Sequence, residues 1–150
     1  MTSRADHEKD PAYGLKLCLG SGRRLKLGER LGRGGEGSVY VAANRRNHAV
    51  KLYKAPDKPQ LANKIAAMVD AGLARQSPFA AFPVDVVRTQ DGAFAGFLMK
   101  AVRDRRPLHD LYAPGARKQH FPDIDYRFLA RTATNIARAV ASIHHTGCVI

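Results

Sequence analysis

LGRGGEGSVYVAANRRNHAVKLYK, residues 31 to 54, places four glycines within positions 32 to 37 and sets Lys51 between Val50 and Leu52. Glycine loses more backbone freedom on folding than any other residue, so this density needs a reason. Three devices gather glycines this way: a flexible surface loop, a dinucleotide-binding turn, and a loop that covers phosphates beside a lysine. The surrounding chain decides among them.

Gly32-Arg33-Gly34-Gly35-Glu36-Gly37 fits G-x-G-x-x-G. The dinucleotide-binding version needs a strand before it, a helix opening on it and an acid about 20 residues on. Here Ser38-Val39-Tyr40-Val41 follows, a strand pattern, and residues 52 to 56 hold no acid. That reading fails on context. A glycine loop between antiparallel strands is a different device, because its amides can approach an anion with no Cβ in the way. Val39, two residues past the last glycine, would cover a base from the same sheet. Ala49 and Lys51 lie two apart and share a strand face. The alanine leaves room for a flat purine, and the lysine supplies a point charge for phosphate oxygens.

The rest of the chain reads as α+β. Residues 1 to about 14 form a mobile polar tail. Leu25 and Leu27, Val39 and Val41, and Ala49, Lys51 and Tyr53 alternate with their neighbours as strands do, with Asn44 to Asn47 as a hairpin loop. Asp57 and Pro59 start a helix with Leu61, Ile65 and Met68 on one face and Gly72 as its stop. Asp85 to Arg88 and Phe94 to Met99 flank Asp91-Gly92, a two-residue turn. Three strands, a helix and two strands do not alternate as a parallel sheet requires. A boundary falls near residue 100. Beyond it, residues 107 to 112 form a short helix and 113 to 122 a loop. A long helix capped by Asp123 or Asp125 then carries Leu129, Ala133, Ile136, Val140 and Ile143 on one face and stops at Gly147.

Apolar residues make up 45% of the 150 and charged residues 25%, a globular balance. No apolar run approaches the roughly 20 residues of a membrane span, and the N-terminus has no signal-peptide core. Cys18 and Cys148 suggest neither a disulfide framework nor a zinc site, and the expected compartment is cytoplasmic. The net charge of +12 favours polyanionic partners. The basic residues are dispersed, however, without the aromatic interleaving of RNA binders, which disfavours nucleic acid. His144 and His145 are adjacent and so do not share a helix face, which leaves no metal ligand set. Arg103, Arg105 and Arg106 read as a solvated rim.

G-x-G-x-x-G-x-V followed by Ala49-Val50-Lys51 resembles the N-terminal lobe of eukaryotic-like Ser/Thr protein kinases. Phe97 to Val102 resembles the fifth strand running into the hinge, Arg106 to Leu111 the small helix after it, and Ile143 to Ile150 the segment leading to the catalytic loop. The resemblance implies a protein-kinase-like fold: a five-stranded antiparallel N-lobe sheet with one helix over residues 15–100, then hinge and first C-lobe helices over 101–150. It implies that Gly32, Gly34, Gly35 and Gly37 cover the phosphates of ATP and that Lys51 holds the α and β groups. Val39, Ala49, Met99 at the gatekeeper position, and the backbone of Lys100 and Val102 would hold the adenine. The catalytic Asp and the Mg2+ ligands would fall just beyond Ile150, so no catalytic or metal residue lies within the chain. The implied partners are ATP and a protein substrate or regulatory partner.

Two departures stand out. Ile150 replaces the usual histidine, as in bacterial kinase-like proteins with G-D after such an apolar residue. The helix glutamate that should pair with Lys51 is absent. The only glutamates are Glu8, Glu29 and Glu36, and the best alignment puts Lys64 in its place, so no glutamate visibly positions Lys51. A pseudokinase-like nucleotide- or partner-binding module and a basic nucleic-acid-associated protein are the alternative functions.

Overall fold

The computed structural model describes residues 10–102 and 105–148. The chain divides into two compact units, Met1–Ala101 and Val102–Ile150. The expected tail lies outside the described residues as far as residue 9. Past Asp10, Pro11–Gly14 forms a 3-10 turn whose Ala12 N–H is capped by the Asp10 carboxylate.

Seven strands follow in the first unit: β1 Leu17–Leu19, β2 Arg24–Leu25, β3 Leu27–Arg33, β4 Gly37–Ala42, β5 His48–Tyr53, β6 Pro83–Thr89 and β7 Phe94–Lys100. They form one sheet in the order β2-β1-β6-β7-β5-β4-β3, and every pairing is antiparallel. The sheet therefore has seven strands rather than the five that the sequence suggested. One addition is β1; the other arises because Leu25 and Leu27, expected in one strand, fall in β2 and β3 on either side of Lys26. β1 and β2, three and two residues long, are too short for alternation to stand out.

The strand order shows why the sheet curls. β2 and β3 occupy its opposite ends, yet only Lys26 separates them in the chain. The two ends must therefore meet. Asn44, just past β4, braces the junction: its side-chain oxygen accepts from the Lys26 N–H at 2.9 Å, and its Nδ2 donates to the Arg24 carbonyl at 2.8 Å. Inside the curl lie Leu17, Leu19, Leu25, Tyr40, Val50, Leu52, Val87 and Leu98. Val50 and Val87 are completely shielded from water, and each such side chain contributes about 1.5–3 kcal/mol.

The other sheet face carries helix α1, Pro59–Asp70. Pro59 sits in its first turn, where a missing N–H costs nothing. Its N-cap is Lys58 rather than the expected Asp57. Ile65 inserts among Val86, Phe94 and Phe97, flanked by Leu61, Met68 and Val69. Gly72, at φ +66°, ends the helix and opens a second short one, α2 Leu73–Gln76, where a single helix was expected. Gly92, at φ +92°, makes the predicted β6–β7 turn, donating its N–H to Thr89.

The second unit contains α3 His109–Tyr112, α4 Pro114–His120 and α5 Tyr126–His144. α4 occupies most of the predicted loop. Pro114 begins a helix instead of breaking one, and Arg117, Lys118 and His120 suit its C-terminal dipole. Asp125, the better placed of the two candidate caps, accepts from the Phe128 N–H at 2.9 Å. Among the described residues, no helix is long and apolar enough to cross a membrane.

Candidate functional site

The glycine segment turns between β3 and β4. The Gly34 N–H donates to the Gly37 carbonyl at 2.8 Å, the Lys54 N–H to the Glu36 carbonyl at 2.9 Å, and the Lys54 Nζ to the Gly34 carbonyl at 2.8 Å. Three bonds thus tether a turn that glycine would otherwise leave loose. The four glycines are not equivalent. A Cβ on Gly37 would collide with the Leu52 carbonyl, so that glycine is required by strand packing. A Cβ on Gly32 or Gly35 would meet nothing, and one on Gly34 only the Gly37 oxygen at 3.9 Å. None of the four has a positive φ. Neither packing nor backbone conformation demands glycine at 32, 34 or 35. What its absence of side chain provides there is an exposed backbone that an incoming anion can approach.

Register gathers the other expected residues. Val39 stands opposite Lys51, Lys51 opposite Phe97, and Ala49 opposite Met99. Directly opposed residues point to the same side of an antiparallel ladder. Val39, Ala49, Lys51 and Met99 therefore share one face, the face on which α1 packs. Lys100 ends β7 opposite His48, and the next N–H, of Ala101, donates to the Asn47 carbonyl at 2.9 Å. Val102 opens the second unit and is exposed.

Glu36 overturns one expectation. Its Oε2 lies 2.8 Å from Lys51 Nζ, so a glutamate does hold this lysine, and it comes from the glycine turn rather than from the helix. In a G-x-G-x-x-G pattern that position reads as a spacer, and no periodicity marks it. The hydrogen bond from Lys51 and the charges of Lys51, Lys64 and Lys58 hold the Glu36 carboxyl below its ordinary range. The Lys51 ammonium also lies 4.8 Å above the centre of the Tyr53 ring. Lys64, the residue aligned with the missing helix glutamate, is a second cation near the turn.

The turn is braced from behind. The Asp10 carboxylate accepts from Tyr40 Oη at 2.7 Å and from Arg30 at 2.9 Å, joining β4 to β3 on either side of the glycines. Tyr13 donates its hydroxyl to the Gly28 carbonyl at 2.9 Å and meets Tyr40 edge to face. Burial and donation to Asp10 push the Tyr40 hydroxyl up to about 12.

Two clefts of about 770 and 640 Å3 open beside Leu52 and Tyr53. They are lined by Leu15 with the Thr89–Ala95 turn and by Arg30, Arg33 and Lys54, and neither includes Val39, Ala49 or Lys51. Among the described residues, no three His, Cys, Asp or Glu side chains converge on a metal site. His144 ends α5, and His145 places its Nδ1 2.7 Å from the Ala141 carbonyl. Arg103, Val149 and Ile150 lie outside the described residues.

A tethered glycine turn joined to a lysine-bearing sheet face, with one helix across that face, is a kinase-like arrangement. The sequence comparison agrees. The chain is 31% identical over 137 residues to the protein kinase YegI of Escherichia coli K12, covering 91% of this chain. It is likewise 31% identical over 135 residues to the protein of that name from Escherichia coli O157:H7. This homology supports a kinase-like relationship. The chain spans 21% of the length of each of these relatives. No family model matches the chain.

Proposed function

We propose that the first unit binds ATP as the nucleotide-binding part of a protein kinase, which transfers the γ-phosphoryl group to protein Ser or Thr hydroxyls. The observation that carries this reading is the convergence of Lys51 with Val39 and Ala49 on one face beside a turn whose Gly32, Gly34 and Gly35 need no glycine for folding. The side-chain-free turn backbone and the Lys51 ammonium suit phosphate oxygens, although the Gly34 N–H itself is taken by the Gly37 carbonyl. Val39 and Met99, both partly exposed, would border a purine beside the small, buried Ala49. Lys100 and Val102 would supply backbone groups to its edge. The donor set fits polyphosphate and not a resident metal, so Mg2+ would arrive with the nucleotide and take its protein ligands beyond residue 150, where the catalytic Asp is also expected.

Calorimetric titration with ATP and adenosine tests the reading. Lys51→Met should weaken ATP binding about tenfold or more, the scale of one charge-assisted contact, and leave adenosine binding unchanged. Equal effects on both ligands would overturn the phosphate role of Lys51.

A second reading, a pseudokinase-like module that binds nucleotide or a partner without transfer, is favoured by one feature: α1 offers Lys64 where a carboxylate would position Lys51. Phosphotransfer by the full-length protein, abolished by Lys51→Met, would exclude it.

A further inference from the structure

The carboxylate on Lys51 comes from the turn itself, and that origin has a consequence for binding. A carboxylate reaching the lysine from the helix side would leave the space between turn and lysine clear. Glu36 instead spans that space, with its Oε2 2.8 Å from Lys51 Nζ. A phosphate group held jointly by the turn amides and Lys51 would have to lie in the same gap. Its oxygens would then be in contact with the carboxylate, and like charges at that distance repel.

We propose that Glu36 sets the affinity and charge selectivity of the phosphate subsite by acting as an internal anion on Lys51 that the phosphates of a nucleoside polyphosphate displace. This inference rests on the nucleotide-binding reading above and deepens it.

Three observations support an exchange rather than a fixed brace. The Glu36 side chain is 77% exposed, so it can swing into water without crossing packed structure. An exposed ion pair of this kind contributes little stability, so breaking it costs little. The turn backbone is held separately, by the Gly34–Gly37 and Lys54 hydrogen bonds, so the exchange moves a side chain and leaves the amides in place. Departure of Glu36 uncovers Lys51 and removes the counter-charge shared with Lys58 and Lys64, the other cations that act on it. Three lysine charges that act on one carboxylate reward three phosphates more than one. Glu36 would thereby exact a toll that a triphosphate overcomes readily and a monophosphate does not.

The test compares full-length wild-type protein with Glu36→Gln, titrating each with ATP, AMP and adenosine at fixed ionic strength. Glu36→Gln should bind ATP about two- to fivefold tighter, the reach of one exposed charge. AMP, which the carboxylate penalises more, should gain more than ATP, narrowing the ATP-to-AMP ratio, and adenosine should be unchanged. Thermal unfolding should coincide for the two proteins, since the side chain is exposed. Unchanged or weaker ATP binding by Glu36→Gln, with normal binding by the wild type, would overturn the inference, and weaker binding would make Glu36 a positioning residue for Lys51. Failure of both proteins to prefer ATP over adenosine would instead overturn the nucleotide reading, and this inference with it.

Discussion

Gly37 and Leu52 meet across the β4–β5 ladder so closely that a Cβ on the glycine would overlap the Leu52 carbonyl oxygen. Gly96 stands in the same relation to the Lys51 carbonyl from the β7 side. The strand carrying the lysine is thus flanked at successive residues by two backbones that approach only because no side chain intervenes. Those contacts fix where Lys51 stands relative to the turn, independently of any ligand.

This separates two kinds of glycine by experiment. Gly37→Ala and Gly96→Ala should each destabilise the protein by about 1–3 kcal/mol, because backbone must shift to admit the methyl group. Gly34→Ala and Gly35→Ala should change stability by no more than about 0.5 kcal/mol, as exposed substitutions do, while weakening ATP binding. Chemical denaturation alongside ATP titration reads both quantities. A loss of stability at Gly35→Ala equal to that at Gly37→Ala would remove the argument that position 35 is kept open for a ligand.

Asp10 gives a pH-dependent prediction. Burial alone would raise its carboxyl, but the bonds from Tyr40, the Ala12 N–H and Arg30 outweigh burial and hold it below its ordinary value of 3.8. A carboxyl lowered on folding contributes stability that is present above its unfolded value and is lost as pH falls through the folded one. Asp10→Asn should therefore cost about 1–3 kcal/mol at neutral pH, because a neutral amide replaces the carboxylate that accepts from Arg30 and Tyr40. The cost should shrink below pH 3.8, where the wild type sheds the same interaction. Urea unfolding of both proteins between neutral pH and pH 3 would show the two curves converging, and parallel curves would contradict the assignment.

The shared face was legible in the sequence because spacing of two is all a strand face requires: Ala49 and Lys51 could be placed together before any pairing was known. The curl was not. It depends on which strands end up as neighbours, and the pieces that close it, Leu17–Leu19 and Arg24–Leu25, carry two or three residues of pattern each. Pro114 misled for a related reason, since proline both ends helices and starts them, and only its position decides. Glu36 escaped notice because its role arises from the register of the turn against β5. The kinase resemblance places the acid on the helix instead.

Asn44 tests the closure itself. One side chain bonds to backbone on both sides of the Lys26 break, from Arg24 to Lys26. Asn44→Ala removes both bonds and keeps the Ala43 N–H to the Lys26 carbonyl, and should cost about 1–2 kcal/mol for two exposed hydrogen bonds. Asn44→Asp keeps the acceptor for the Lys26 N–H and loses the donor to Arg24, so its cost should fall between those of wild type and Ala. Amide exchange should accelerate at Lys26 in Asn44→Ala ahead of β5 and β7, since the defect lies where the sheet's ends meet. Uniform acceleration across all strands would indicate that the joint is not a local element of stability.

Lys64 decides between a helix-borne and a turn-borne partner for Lys51. On α1 it falls in the row Leu61, Lys64, Met68, beside the buried Ile65, and its charge reaches Glu36. If the helix were the natural source of the carboxylate, Lys64→Glu would supply the missing group and strengthen binding of a polyphosphate by ordering Lys51. If the lysines serve as a cationic shelf around an exchangeable Glu36, the same substitution reverses one charge of that shelf. Lys64→Glu should then weaken ATP binding about three- to tenfold, with adenosine unaffected. Combined with Glu36→Gln it should partly cancel the gain of that variant rather than add to it. Raising the salt concentration should compress every one of these differences, because the groups are exposed and screened. Tighter ATP binding by Lys64→Glu would refute the shelf and return the positioning role to the helix.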